Sequence, residues 1–370
     1  MKVALVYDRL NKWGGAERVL LALHKLFPSA PLYTSVYDKK KAPWVLRFAP
    51  SKGGQAGQAI KTSFLQNFPF ATHHEFFAGL MPIAFESFNF DEFDLVISVT
   101  SEAAKGVITK PSTKHICYCL TPTRYLWSGY NDYFKNPLLK IISKPIISYL
   151  KYWDRIAAQR PDAFIAISNE VQKRIKKYYG RESIVVYPPI FNFQFSIFNQ
   201  FQNSNLKYEN YFIIVSRLVP YKRIDLAIKV FNKLKLPLKI VGIGSEMGKL
   251  RAMSGLTIEF LGNLTDKELV RYYSECRALI FPGIEDFGLT ILEAQSFGKP
   301  VIAFRAGGAL ETIIEEKTGL FFNEQTVESL SEAIKHFNNI KINPEDCINQ
   351  AEKFGFEMFK KEFMRAIQGI

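Results

Sequence analysis

Short runs of consecutive apolar residues alternate along the chain with longer stretches whose apolar positions recur every third or fourth residue. The runs predict buried strands, and the stretches predict helices with one wet face. In the first half, strands are expected at Lys2–Tyr7, Pro31–Tyr37, Asp94–Val99, Lys114–Cys119, Ala163–Ile167 and Ile184–Tyr187. Helical spacing appears at Arg18–Phe27 and at Asn169–Tyr179, for which Ser168 is the candidate N-cap. In the second half, strands are expected at Tyr211–Val215, Leu238–Val241, Thr257–Leu261, Leu279–Phe281 and Val301–Ala303. Between them fall helices at Arg223–Leu234, Glu246–Met253, Asp266–Cys276 and Gly288–Phe297. Alternation of strand and helix predicts the α/β class with parallel, doubly wound sheets.

A length of 370 residues exceeds the usual single core and predicts two domains. The expected division is 1–195 and 211–344, with 196–210 as linker inside the irregular, polar stretch Phe191–Asn210. Pro344–Ile367 is expected to be helical. Its aromatics, Phe354, Phe356, Phe359 and Phe363, suit packing of 345–370 back on the first domain. Lys39–Gly57, basic and glycine-rich, is expected to be a mobile surface segment.

The formal net charge of +13 favours an anionic partner: a phosphorylated substrate, an acidic membrane face or nucleic acid. Nucleic acid is disfavoured, because the basic residues are dispersed and form no known binding module. The four cysteines, Cys117, Cys119, Cys276 and Cys347, show no zinc spacing. Cys117 and Cys119 alternate within a strand-like run and read as buried thiols rather than a disulfide, so a reducing, cytoplasmic setting is expected. No apolar run is long enough to span a bilayer, and the N-terminus lacks a signal-peptide core. Asn136–Arg160 leaves two readings open. Its apolar residues are punctuated by Lys140, Lys144, Lys151 and Arg155. It is either a helix broken at Pro145 and packed on the sheet with its lysines in water, or a basic amphipathic helix on the inner face of an anionic membrane.

Candidate chemistry gathers at the ends of the predicted strands. In Phe281–Glu293, FPGIEDFGLTILE, Glu285 and Glu293 bracket a strand-to-helix junction near Phe287, Gly288 and Leu289. In open α/β sheets ligands bind at such junctions. Arg217 and Lys222 follow the strand at Tyr211–Val215 and suit a diphosphate, one as a fork and the other as a point charge. Gly242 and Gly244 form a turn, Leu264 lies in Gly262–Thr265, and Gly307-Gly308 follows one strand later. In the first half, Gly14-Gly15 opens a helix without the full dinucleotide fingerprint. Taken singly, each of these is also an ordinary turn or a solvated charge. Jointly they describe a cradle for a nucleotide diphosphate.

The ordered set GGAE (Gly14–Glu17), SRLVPYKR (Ser216–Arg223), GIGSE (Gly242–Glu246), GNLTDKEL (Gly262–Leu269) and the E-x7-E stretch before EAQSFGKPVIAFRAGG resembles glycosyltransferase family 4. HICYCLTPTRYLW resembles, more narrowly, the mannosyltransferase-like branch of O-antigen and exopolysaccharide synthesis. The resemblance implies the GT-B fold, two Rossmann-like domains facing across a cleft. It also implies retention of anomeric configuration without a dedicated metal or cofactor. The implied donor is a nucleotide-diphosphate sugar, GDP-mannose or a UDP-sugar, and the acceptor a glycan or lipid-linked molecule.

Carried over, Arg217 and Lys222 would bind the leaving diphosphate, Glu285 the sugar and Glu293 the ribose. Gly15 would let its loop approach the phosphate. Gly242, Gly244, Leu264, Phe287, Gly288 and Leu289 would line the donor. Asp8, Glu17 and Arg124 are candidate acceptor contacts. One departure is visible. Where the family often has a sugar-contacting His, this chain has Leu120-Thr121-Pro122. Either Arg124 covers that role or the activity is altered. The alternatives are a GT-B sugar-nucleotide epimerase and a non-catalytic nucleotide-sugar-binding subunit.

Overall fold

The computed structural model describes residues 1–48, 60–69, 74–134, 136–190 and 210–369. The chain divides into two units, Met1–Pro188 with Phe359–Ile370, and Pro189–Met358. Both are parallel-sheet α/β structures. Most of the 196–210 stretch, and 49–57 of the basic segment, lie outside the described residues.

The first unit holds β1 (Val3–Tyr7), β2 (Leu32–Thr34), β3 (Ile60–Thr62), β4 (Leu95–Thr100), β5 (Lys114–Cys119), β6 (Ala163–Ala166) and β7 (Ile184–Val185). Their order is β3-β2-β1-β4-β5-β6-β7, with every pair parallel. All five residues of β1 and all six of β4 are buried, as a strand covered on both faces requires. Helix Asn169–Tyr179 begins where the N-cap signal puts it, Ser168 Oγ accepting from Val171 N at 3.1 Å.

Three expectations need correction. Pro43–Phe48, inside the basic segment, is a 3₁₀ turn that buries Trp44, Val45 and Phe48, because its apolar residues outweigh the flanking lysines. Helix Pro137–Ala157 runs unbroken through Pro145. A proline there removes one backbone donor without ending the helix. The carboxyl-terminal segment is two helices, Pro344–Glu352 and Phe356–Gln368, parted at Lys353-Phe354-Gly355. The second carries Phe359 and Phe363 onto Tyr118 of β5.

The second unit holds β8 (Phe212–Val215), β9 (Leu238–Val241), β10 (Ile258–Gly262), β11 (Ala278–Phe281), β12 (Val301–Phe304) and β13 (Gly319–Phe322), in the order β10-β9-β8-β11-β12-β13. Side chains alternate across the sheet. Phe212, Ile214 and Ile280 join one core, and Ile213, Leu279 and Phe281 join the other. Each such fully buried side chain contributes roughly 1.5–3 kcal/mol. The pattern of apolar positions misses β13 and helix Val327–Phe337, while the other predicted strand ends in this unit shift by about one residue.

In each sheet the chain winds outward in one direction, returns to the middle and winds outward in the other. The reversal falls between β1 and β4 in the first unit and between β8 and β11 in the second. Loops leaving the carboxyl ends of such neighbours diverge and leave a crevice.

Candidate functional site

In the second unit the crevice lies between the loop after β8 and the loop after β11. Pro220–Lys222 forms a single 3₁₀ turn, closed by Lys222 N donating to Val219 O at 3.1 Å. Arg223 follows in the left-handed region, φ 53°, and starts helix Ile224–Leu234. A non-glycine residue held there costs on the order of 1 kcal/mol, so neighbours must hold it. Arg223 Nη1 donates to Gln325 Oε1 at 3.2 Å, and Gln325 Nε2 donates to Pro282 O at 2.7 Å. That relay ties the β8 loop to the β11 loop. The pairing of Arg223 with Gln325 does not stand out in the sequence, because 102 residues separate them.

The result brings two of the predicted residues together. The Lys222 ammonium and the Glu285 carboxylate form an ion pair across the crevice, with Lys222 8% exposed and Glu285 25%. The loops approach backbone to backbone: a Cβ on Gly283 would lie 2.8 Å from Lys222 Cα. Behind Glu285, Gly308 N donates to its carbonyl at 2.9 Å, and a Cβ on Gly308 would lie 2.3 Å from Phe287 Cα. Glycine at both places is therefore a condition for the carboxylate's position.

Arg217 is exposed on the Lys222 loop and donates to Tyr221 Oη at 2.6 Å. The Gly242–Gly244 turn lies against that same loop, Leu218 N donating to Ile243 O at 3.0 Å. Gly288 ends the β11 loop in the left-handed region, φ 88°, and Leu289 opens helix Leu289–Ser296. Glu293, on that helix, is buried and accepts from Tyr273 Oη at 3.0 Å. Leu264 is half-buried against the core. Phe287 needs correcting as a lining side chain. Its ring is buried against Phe354, centroids 5.7 Å apart, and the residue as a whole is buried.

The first unit treats its crevice differently. Asp8, at the end of β1, is buried, and its carboxylate accepts from Thr100 Oγ1 (2.8 Å), Ser101 N (2.7 Å), Ala103 N (3.0 Å) and Ala104 N (2.9 Å). Asp8 is thus a structural clamp between β1 and β4 and not an acceptor contact. Glu17 is buried as well, and one of its oxygens accepts from Tyr7 Oη at 2.6 Å, which removes it from the surface. Gly15 is exposed at the start of helix Gly15–Leu26. Arg124 is half-buried in the turn after β5, where its carbonyl accepts from Gly129 N at 2.8 Å.

That turn is anchored from below. Asp154 accepts from Lys105 Nζ (2.5 Å), Thr123 Oγ1 (2.9 Å) and Trp127 Nε1 (2.7 Å). Leu120, 8% exposed, offers no ring nitrogen. Burial pushes the His115 imidazole down to about 3, and its Nε2 lies 2.8 Å from Ser98 Oγ. It is a core residue.

A groove of about 310 Å³ lined by Glu275, Arg277, Lys299 and Pro300 opens at the amino ends of β11 and β12, opposite the end that carries these loops. Among the described residues, no three His, Cys, Asp or Glu side chains group as a metal site.

Residues 196–354 match the family described as glycosyl transferases group 1. The matched segment is less than half of the chain and falls within the second unit. Together with full-length similarity to a curated glycosyltransferase, the match makes the chain a glycosyltransferase. A stretch of 230 residues is 25% identical to an uncharacterized glycosyltransferase of Methanocaldococcus jannaschii, covering 60% of this chain and 61% of that one. An alpha-1,3/1,6-mannosyltransferase of Dictyostelium discoideum is 25% identical over 100% of this chain and 98% of its own. The fold of the Anabaena protein HepE, solved in complex with UDP-glucose, superposes over 100% of both chains with a TM-score of 0.70 at 18% identity. The two parallel sheets, of seven and six strands, therefore have the GT-B fold.

Proposed function

We propose that this glycosyltransferase moves a hexose, mannose foremost, from a nucleotide-diphosphate sugar to a glycan or lipid-linked acceptor in cell-surface polysaccharide synthesis, with retention of configuration. The observation that carries the reading is the Lys222–Glu285 pair at the strand-order reversal of the second sheet, with Arg217 on the same loop. Mannose is favoured by the full-length similarity to a mannosyltransferase.

The barrier to transfer is charge separation, as the anomeric C–O bond breaks before the acceptor oxygen has fully bonded. Negative charge grows on the departing diphosphate, where the fixed ammonium of Lys222 and the fork of Arg217 lower its energy. Positive charge grows on the sugar ring beside the Glu285 carboxylate. The acceptor hydroxyl forms the new bond to the anomeric carbon and gives its proton to the leaving phosphate oxygen. No protein base is then required. Glu293, oriented by Tyr273, holds the ribose hydroxyls, and Gly242, Gly244, Gly288 and Leu289 shape the rest of the donor cradle.

The test is product analysis with GDP-mannose and UDP-sugars labelled at the anomeric carbon, over a panel of glycan and lipid-linked acceptors. Transfer with an unchanged anomer supports the reading. An epimerised sugar nucleotide formed without acceptor overturns it in favour of an epimerase. Donor binding without any turnover favours a non-catalytic subunit, the outcome that Leu120 makes worth testing.

A further inference from the structure

Helix Pro137–Ala157 has three faces. Ile147, Leu150, Trp153 and Ala157 turn into the first unit. A second face carries Lys140, Lys144, Lys151 and Arg155, all within about 60° of one another at the helical period. The third face is apolar and exposed: Leu138 (64%), Ile141 (69%), Ile142 (66%), Tyr149 (45%), Tyr152 (70%) and Ile156 (43%). In a soluble core helix the apolar side is the buried side, so packing of this helix on the sheet accounts for only one of its faces.

The exposed stripe is long and directed. Over residues 137–146, every described side chain is exposed except Ser143, which is half-buried. The other half is held rigidly through Asp154, as described above. The stripe continues sideways. A Cβ on Gly79 would lie 2.9 Å from Ile146 Cδ1, and the neighbouring Leu80 and Ile83 are also exposed. The cations flank it on aromatic supports, Lys151 Nζ lying 4.7 Å from the Tyr130 ring centre and Arg155 Cζ 4.9 Å from that of Trp127. A contiguous apolar patch of this kind marks a surface that meets something.

We propose that this face docks on a lipid bilayer containing anionic lipids, with the apolar stripe in the acyl–headgroup boundary and the basic face on the headgroups. Charge decides between the bilayer and a second copy of the chain. Apart from the buried Asp154, every charge on the helix is positive. Two copies meeting along the stripe would bring like charges together, whereas an anionic surface neutralises them. The helix rides on the surface and does not cross it: among the described residues no helix is long and apolar enough to span a membrane. The proposal is independent of the donor assignment, because docking is measured with no sugar present.

The experiment is flotation of the full chain with vesicles of phosphatidylcholine, with and without phosphatidylglycerol. Recovery with the anionic vesicles is expected to exceed recovery with neutral ones. Ile141→Asp/Ile142→Asp should lower it at least about tenfold, and Lys144→Glu by about fivefold or more. Leu256→Asp, on an exposed position of the second unit, should change nothing. Unchanged circular dichroism and Tm show that the variants are folded, as their exposed positions predict. Equal recovery from both vesicle types, or undiminished recovery of the double variant, overturns the proposal. So does a sedimenting dimer that the double variant dissolves while neither protein floats, which assigns the face to a second copy.

Discussion

Each sheet has one place where the strand order reverses, and the two places are filled in different ways. In the first unit a carboxylate from the chain itself, Asp8, takes donors that line the crevice, among them the Thr100 hydroxyl and three backbone N–H groups. In the second unit the corresponding loops meet through Lys222 and Glu285, and the Glu285 side chain keeps a quarter of its surface open. A buried anion that satisfies its surroundings stabilises the fold and leaves nothing for a ligand. A cation paired with a partly open carboxylate leaves its charge to be shared with one. The same topology thus yields a clamp in one unit and a candidate diphosphate site in the other.

Exchanging the consequences is the strongest way to break this contrast. Asp8→Ala strands four donors and should lower stability by about 3–5 kcal/mol, read as a lower guanidinium midpoint, with turnover kept where the protein is still folded. Lys222→Ala should do the reverse, cutting kcat by about 10² to 10³ with little change in midpoint. A large activity loss from Asp8→Ala in the folded state would erase the difference between the two crevices.

Smaller changes sharpen it. Gly308→Ala pushes a Cβ into the Phe287 backbone and shifts the Glu285 loop. Displacing a reacting group by an ångström costs about 10²-fold, so activity should fall far more than stability. Tyr273→Phe removes one donor from Glu293, worth about 1 kcal/mol, and should raise the donor KM about fivefold while kcat holds.

The effect that vanishes at neutral pH is a pH dependence set in the first unit. The folded His115 imidazole titrates near 3, against 6.5 when free. Between those values the unfolded chain binds more protons, so the stability is complete above about pH 6.5 and falls as the pH is lowered. The slope is at most about 1.4 kcal/mol per unit, and His115→Asn should flatten it in acid denaturation curves.

Much of the fold was legible because parallel strands buried on both faces leave continuous apolar runs, as in Val3–Tyr7 and Ala278–Phe281, and because Ser168 marks a helix start through a local hydrogen bond. β13 was hidden since its four residues, Gly-Leu-Phe-Phe, carry too short a pattern. At the site, the strand-end position of Lys222 and Glu285 was legible. Their contact was not, because it depends on the Arg223–Gln325–Pro282 relay formed only after folding.

Asp8 misled for the same reason. Its partners lie 92 to 96 residues away, and nothing local distinguishes a clamp from an exposed acid. The basic helix shows a further limit: periodicity reveals that Pro137–Ala157 has distinct faces but not which of them meets the protein.

The central claim is that the second unit's crevice, and not the first's, receives the donor diphosphate. A thermal-shift titration with GDP-mannose and UDP-sugars tests it most directly, since a ligand that binds the folded state raises Tm. A saturable rise is expected for the wild-type chain and for Asp8→Asn, and none for Arg217→Ala/Lys222→Ala. A rise of wild-type size in the double variant, or its loss in a folded Asp8→Asn protein, would contradict it.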